Sequence, residues 1–145
     1  MKINLEKKDI DNLLLESFCN GGLTELYHCD VNINWNDGTN NTNYFKAKEM
    51  LLKEGKSNDD LCMEDIFLKV FQKFGIVIDD FNSDEQIILN YELAEFNLNK
   101  SLEDVENREW FFKQVNKVIP EYDNADAWTY FFILQGIIYG EQIYC

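Results

Sequence analysis

Apolar positions recur along this chain in two periods, and the change from one to the other predicts the elements. Over residues 6–19, Ile10, Leu13, Leu14 and Phe18, with Ser17 beside them, follow the 3.6-residue period of a helix, while Lys7, Lys8, Asp11 and Glu16 fall on the opposite face. Asn20-Gly21-Gly22 ends this helix, because glycine readily takes the left-handed conformation after a last turn. Tyr27, Cys29, Val31, Ile33 and Trp35 then alternate with His28, Asp30, Asn32 and Asn34, a period of two that predicts a half-buried strand over residues 27–35. The polar, glycine-containing run 36–43 reads as a loop. A second helix is expected over residues 44–54, stopped at Gly55, and a third over 63–74. In the third, Ile66, Phe67, Val70, Phe71 and Phe74 form one stripe. Glu64 and Asp65 in its first turn, with Lys69 and Lys73 towards its end, complement the helix dipole.

Residues 76–100 carry two conflicting patterns. Ser83 and Gln86 have the spacing of a capping box and favour a helix, whereas Ile87, Leu89, Tyr91 and Leu93 alternate as in a strand; the reading leans to helix over 82–99. Ser101 is then expected to cap a helix reaching residue 119, with Val105, Trp110, Phe111 and Val115 inward. Pro120 ends it, since the residue before a proline avoids the helical region. A last helix runs over 124–139 and stops at Gly140. The predicted fold class is α+β: a mainly helical single domain, residues 1–145, with a small β-sheet or hairpin. About five helices would pack against a sheet near the 27–35 strand.

Composition agrees with a folded chain. Its 145 residues include 46% hydrophobic and 14% aromatic residues, spread along the whole length. Charge adds more. Against 13 Lys and Arg there are 27 Asp and Glu, a net charge of −14. Residues 1–75 hold 13 acids and 9 bases, a net −4, whereas residues 76–145 hold 14 acids and 4 bases, a net −10. Such a surface repels nucleic acid and anionic membrane and attracts basic partners. With no apolar leader at residues 1–11 and no apolar run long enough to span a bilayer, the expected compartment is the cytoplasm. There the sequon Asn40-Asn41-Thr42 would stay unmodified, and the four irregularly spaced cysteines (Cys19, Cys29, Cys62 and Cys145) would stay reduced.

Few residues suit catalysis. The lone histidine, His28, would sit on a strand beside Cys29, and strand neighbours point to opposite faces, so a thiol–imidazole dyad is disfavoured. Cys19, His28, Cys29 and Cys62 contain no close ligand pair of the kind that structural zinc sites use. There is no glycine-rich phosphate cradle. The paired carboxylates Asp59-Asp60 and Asp79-Asp80 are the remaining acid–base candidates. The expectation is therefore a protein that is not an enzyme and needs no cofactor or metal.

The densest charge falls on Asp79, Asp80, Asp84, Glu85, Glu92, Glu95, Glu103, Asp104, Glu106 and Glu109, opposed only by Lys100 and Arg108. On a helix, carboxylates three or four positions apart have Cβ atoms about 5–6 Å from each other. That is close to the phosphate spacing along a nucleic-acid strand, and such a face could occupy a Lys/Arg-rich groove with the same counterion release. The first nine of these acids are the expected binding face. The exposed aromatics Tyr122, Trp128 and Tyr130 are the alternative, because interface hot spots favour Tyr and Trp.

The C-terminal run Leu134-Gln135-Gly136-Ile137-Ile138-Tyr139-Gly140-Glu141-Gln142-Ile143-Tyr144 resembles a signature, L-Q-x-x-[LI]-[FY]-G-E-x-[VI]-Y, of a group of small phage and prophage proteins of unassigned function. Asp123-Asn124-Ala125-Asp126-Ala127 resembles the D-x-x-[DA]-A segment that precedes it. The run from Leu13 through Gly21-Gly22 to Leu23 is similar to the group's early helix with its glycine pair, and residues 63–70 fit its middle helix. The chain departs from the pattern at Asn20, at Cys145 and in an apparent insertion over 82–99. The resemblance implies a mobile-element origin. Together with the charge, it leads to the expectation of an anti-defence inhibitor, anti-CRISPR-like or anti-restriction-like. Such an inhibitor would bind a basic protein, such as a nucleic-acid-binding host effector or a nuclease, and would not bind nucleic acid or membrane directly. The alternatives are an immunity protein neutralising a basic nuclease toxin, or a protein with a structural role. In the C-terminal motif, Gly140 is expected to turn residues 141–144 back to pair with the 27–35 strand, leaving Gln135 and Glu141 in structural roles.

Overall fold

A computed structural model describes residues 5–19, 22–34, 42–103, 108–118 and 125–144. In chain order the elements are α1 (Lys7–Cys19), α2 (Gly22–His28), β1 (Val31–Asn34), α3 (Thr42–Lys53), a 3-10 turn (Asn58–Asp60), α4 (Met63–Lys73), β2 (Ile76–Asp80), β3 (Glu85–Leu89), α5 (Tyr91–Glu103), α6 (Arg108–Val118) and α7 (Ala127–Tyr139). The class is the expected one, mainly helical α+β with a small sheet, although the described residues hold seven α-helices where about five were expected. The chain divides into two compact units, one of Asp30–Glu92 and one of Met1–Cys29 with Leu93–Cys145.

The unit formed by the two ends of the chain is built on α7. Thr129, Tyr130, Phe131 and every residue from Ile133 to Ile138 are buried, so the helix is enclosed around most of its circumference, as expected for a segment apolar on all sides. Helices α1, α2 and α6 pack against it. At Gly136 a β-carbon would fall within the Phe111 ring of α6 and 3.1 Å from Ser101 Oγ of α5. At Gly22 it would come within 2.7 Å of Leu134 Cδ1. Glycine at these two sites lets α6 and α2 approach the central helix closely.

Both ends of α7 are closed by side chains. Asp126 Oδ1 accepts from the Thr129 backbone N–H at 2.9 Å, and the Thr129 hydroxyl accepts from the Asp126 backbone N–H at 3.2 Å, a reciprocal capping box. At the other end Gly140 takes φ 74°, the left-handed conformation that glycine enters without steric cost. Beyond it the chain folds back on its own helix. Gln135, wholly buried, accepts from the backbone N–H groups of Ile143 (2.8 Å) and Tyr144 (2.7 Å) and donates to the Tyr144 carbonyl at 3.1 Å. Gln142 Nε2 donates to the Phe132 carbonyl at 2.9 Å. Asn97 of α5 donates from Nδ2 to the Ile137 and Ile138 carbonyls, 2.9 Å each, taking up acceptors that the helix end leaves open. The terminal residues do turn back, but onto α7 and not onto a strand, because the Gln135 amide satisfies their backbone groups there.

The second unit is a three-stranded antiparallel sheet, order β1-β2-β3, with the helical pair α3 and α4. Val31, Ile76, Ile78 and Leu89 are buried on the sheet, and Ile66, Phe67, Val70 and Phe71 are buried on α4. Two ion pairs fasten the connection between the helices: Lys69–Glu54 at 2.7 Å and Lys56–Asp65 at 2.9 Å.

The expected elements hold for residues 6–19, 44–54, 63–74 and 124–139 to within a few positions. The middle of the chain differs. Residues 22–28 form α2, so the expected 27–35 strand keeps only Val31–Asn34 of its described part, and Trp35 lies outside the described residues. The 82–99 helix is instead a hairpin followed by α5. Asp80 Oδ1 accepts from the Asn82 backbone N–H at 2.9 Å, an Asx turn that reverses the chain where a capping box was expected to start a helix. Ser101 lies inside α5 and caps nothing; its hydroxyl is buried with no hydrogen-bond partner among the described residues. Val105 and Pro120 lie outside the described residues.

Two outcomes test this packing. Gly136→Ala should lower stability by about 1–3 kcal/mol, the usual cost of overfilling a core, read as a lower midpoint in thermal or urea unfolding. Asp126 is held below the ordinary carboxylate range, chiefly by the Thr129 backbone N–H it accepts, then by the Thr129 hydroxyl. A depressed folded pKa means that the stabilisation is present above the unfolded value and is lost as pH falls through the folded one. Asp126→Ala should therefore cost about 1 kcal/mol at neutral pH, and its difference from the parent should shrink below pH ~4, followed by unfolding across a pH series.

Candidate functional site

The acidic segment does not form the single helical face its spacing suggested. Asp79 and Asp80 end β2, Asp84 lies in the turn and Glu85 begins β3. Glu92 stands in the first turn of α5, with Glu95 and Glu103 further along it. Among the described residues, only Glu92 and Glu95 are three positions apart on one helix. Asp104 and Glu106 lie outside the described residues. Of the rest, Asp84, Glu85, Glu92, Glu95 and Glu103 are exposed, as is Glu109 on α6.

Two of the expected binding residues have local structural work. Asp80 is 3% exposed, and besides the Asn82 backbone N–H its Oδ1 accepts from Asn82 Nδ2 at 3.2 Å. A carboxylate enclosed in this way holds the turn and presents no charge to a partner, which removes it from the proposed face. Asp79 pairs across the hairpin with Gln86, whose Nε2 donates to Asp79 Oδ1 at 2.9 Å. Around this charge the hairpin exposes two apolar side chains that the pattern did not single out: Ile88, 62% exposed, and Phe81 in the turn. The alternation of Ile87 and Leu89 was the available signal, since it places Ile88 on the opposite face.

The aromatic alternative is also rearranged. Trp110, expected inward, is 39% exposed on α6, and Trp128 is half exposed. Phe132 lies between them, its ring centroid 4.7 Å from that of Trp110 and 6.2 Å from that of Trp128. Tyr130 is buried and leaves the set of surface candidates, and Tyr122 lies outside the described residues.

Among the catalytic candidates, His28 ends α2 and does not sit on a strand; its Nδ1 is 3.9 Å from Glu25 Oε2, one helical turn earlier. Cys29 follows in a turn. Among the described residues, no group of three His, Cys, Asp or Glu side chains converges in a way that could hold a metal ion. The exposed Cys62 has a defined environment. Its Sγ donates to Asp65 Oδ2 at 3.1 Å, and Lys56 Nζ lies 2.9 Å from the same oxygen. The Asp65 carboxylate accepts a hydrogen bond from the protonated thiol and so pushes the Cys62 pKa up, whereas reactive cysteines sit where the thiolate is favoured. Asp65 in turn is held below the ordinary carboxylate range by the Cys62 thiol and then by Lys56.

Asp65→Asn should therefore increase the thiolate fraction of Cys62 at neutral pH and speed its alkylation by iodoacetamide. Peptide-resolved mass spectrometry would separate Cys62 from the other cysteines, and a slower or unchanged rate would show that Asp65 does not suppress the thiol. Comparison of the chain with protein-family models, with curated proteins and with solved structures found no match in any of the three.

Proposed function

We propose that this protein is a non-enzymatic inhibitor of phage or prophage origin that binds a basic, nucleic-acid-handling host protein and blocks its groove. The observation that carries the reading is the uneven charge: residues 76–145 hold a net −10 of the total −14, and Asp84, Glu85, Glu92, Glu95 and Glu103 present their share to solvent. A concentrated negative field steers a basic partner and gains affinity by releasing the counterions of its Lys and Arg side chains. The C-terminal resemblance to small phage and prophage proteins supports the mobile-element origin. No helix of the described residues is long and apolar enough to cross a membrane.

The same charge fits an immunity protein that covers a basic nuclease toxin. Genomic context separates the two, since a neighbouring toxin gene supports immunity and neighbouring phage genes support inhibition. Hydrolytic or metal-dependent chemistry would be revived by stoichiometric metal in the purified protein or by a turnover lost on changing His28.

The test is an affinity capture from host lysate at low and at high salt, with a variant in which Asp84, Glu85, Glu92, Glu95 and Glu103 are changed together to Asn or Gln. Single substitutions should cost at most about 1 kcal/mol of binding, because exposed charge pairs are individually weak. The combined variant should bind orders of magnitude more weakly, with a flatter salt dependence, while its stability holds or rises as self-repulsion is relieved. Capture of a partner that is not basic, or binding indifferent to salt and to the combined variant, would refute the charge-based reading.

A further inference from the structure

The sheet order β1-β2-β3 leaves β3 at an edge, paired with β2 on one side and with no other strand among the described residues. Its other side is a row of backbone N–H and C=O groups able to template another strand. Natural edges are usually guarded by lysine, proline or a bulge that spoils the ladder. Glu85-Gln86-Ile87-Ile88-Leu89 contains neither lysine nor proline, and its register with β2 runs without a skip over all five pairs, from Asp80↔Glu85 to Ile76↔Leu89. Ile88, opposite Val77 on the outer face, is largely exposed and offers an apolar contact to whatever lies alongside.

Charge selects the occupant. No Lys or Arg occurs between Lys73 and Lys100, and exposed carboxylates stand at both ends of the strand, Asp84 just before it with Glu85 as its first residue, and Glu92 after it. A second copy of the chain would bring its own −14 to this edge, which opposes self-pairing. We propose that the outer edge of β3 takes up an extended, lysine- or arginine-rich segment of the partner protein as a fourth strand. Main-chain hydrogen bonds would supply affinity. An apolar side chain against Ile88, and cationic ones towards Asp84, Glu85 and Glu92, would supply selectivity. This rests on the reading that the partner is basic, and it adds the mode of binding.

The probe is an end-capped heptapeptide alternating Lys and Val. Its control is the same peptide N-methylated at alternate residues, equal in charge but unable to complete a β-ladder. Titration into the isotopically labelled full chain should shift the backbone amide signals of residues 85–89 and slow their hydrogen exchange with the unmodified peptide, and leave them unchanged with the methylated one. Ile88→Lys, at an exposed position that the fold does not need filled, should weaken the unmodified peptide roughly tenfold through like-charge repulsion. Equal binding of both peptides would overturn strand addition and leave the basic-partner reading standing. No binding at low salt, or shifts confined to another surface, would overturn the proposal outright. Protection of residues 85–89 that rises with protein concentration and without peptide would assign the edge to a second copy instead. The basic-partner reading itself fails separately, when the protein captured from lysate is not basic.

Discussion

Enclosing α7 is what the end-forming unit depends on, and a helix enclosed in protein has to close its own ends. Four backbone donors at one end and four acceptors at the other lack intrahelical partners, and buried without them each costs about 1–3 kcal/mol. Asp126 with Thr129 answers the first end, and Asn97 with the left-handed Gly140 answers the second. Gln135 extends the same solution to residues beyond the helix, holding the terminal segment by three hydrogen bonds from one buried amide. The residues that look most like a sequence signature are largely the residues that make a buried helix end possible.

The hairpin solves a different problem with the same residue types. Asp80 is buried on the core face of β2 with Asn82 donating to its Oδ1 from both the backbone N–H and Nδ2, and this pairing sets the turn from which β3 departs. A carboxylate that turns the chain cannot also serve a partner electrostatically. The acids therefore divide into those that shape the sheet, Asp80 and in part Asp79, and those that remain in solvent, Asp84, Glu85 and the α5 glutamates. The exposed group carries the charge on which the proposed binding rests, and the enclosed one holds the turn that leads into the edge strand. Affinity by charge and recognition by strand pairing would thus draw on adjacent residues of one hairpin without competing for the same side chain.

Cys62 is exposed, yet the neighbouring Asp65 makes its thiolate costly, and Lys56, a cation that would favour the thiolate, is paired with the carboxylate. His28 lies at a helix end, one turn from Glu25.

By itself the sequence determined the periodic elements. Ile66, Phe67, Val70 and Phe71 defined α4 and Ile10 to Phe18 defined α1, because a stripe that must leave water follows the helical period, while α7 was marked by a largely apolar run closed by Gly140. It also determined the net charge and where along the chain that charge lies. Only the tertiary structure decided the segments in which two local patterns competed. Ser83 and Gln86 fit a helix cap, but pairing of Ile78 with Ile87 and of Ile76 with Leu89 buries apolar surface that a helix there would not have matched to β2. Tyr27 and Cys29 kept the strand alternation, yet residues 22–28 became helical where Gly22 allowed α2 to close on Leu134 and Tyr130. The acidic face was divided for the same reason: charge follows the backbone, and the backbone follows whichever pairing removes more apolar surface from water.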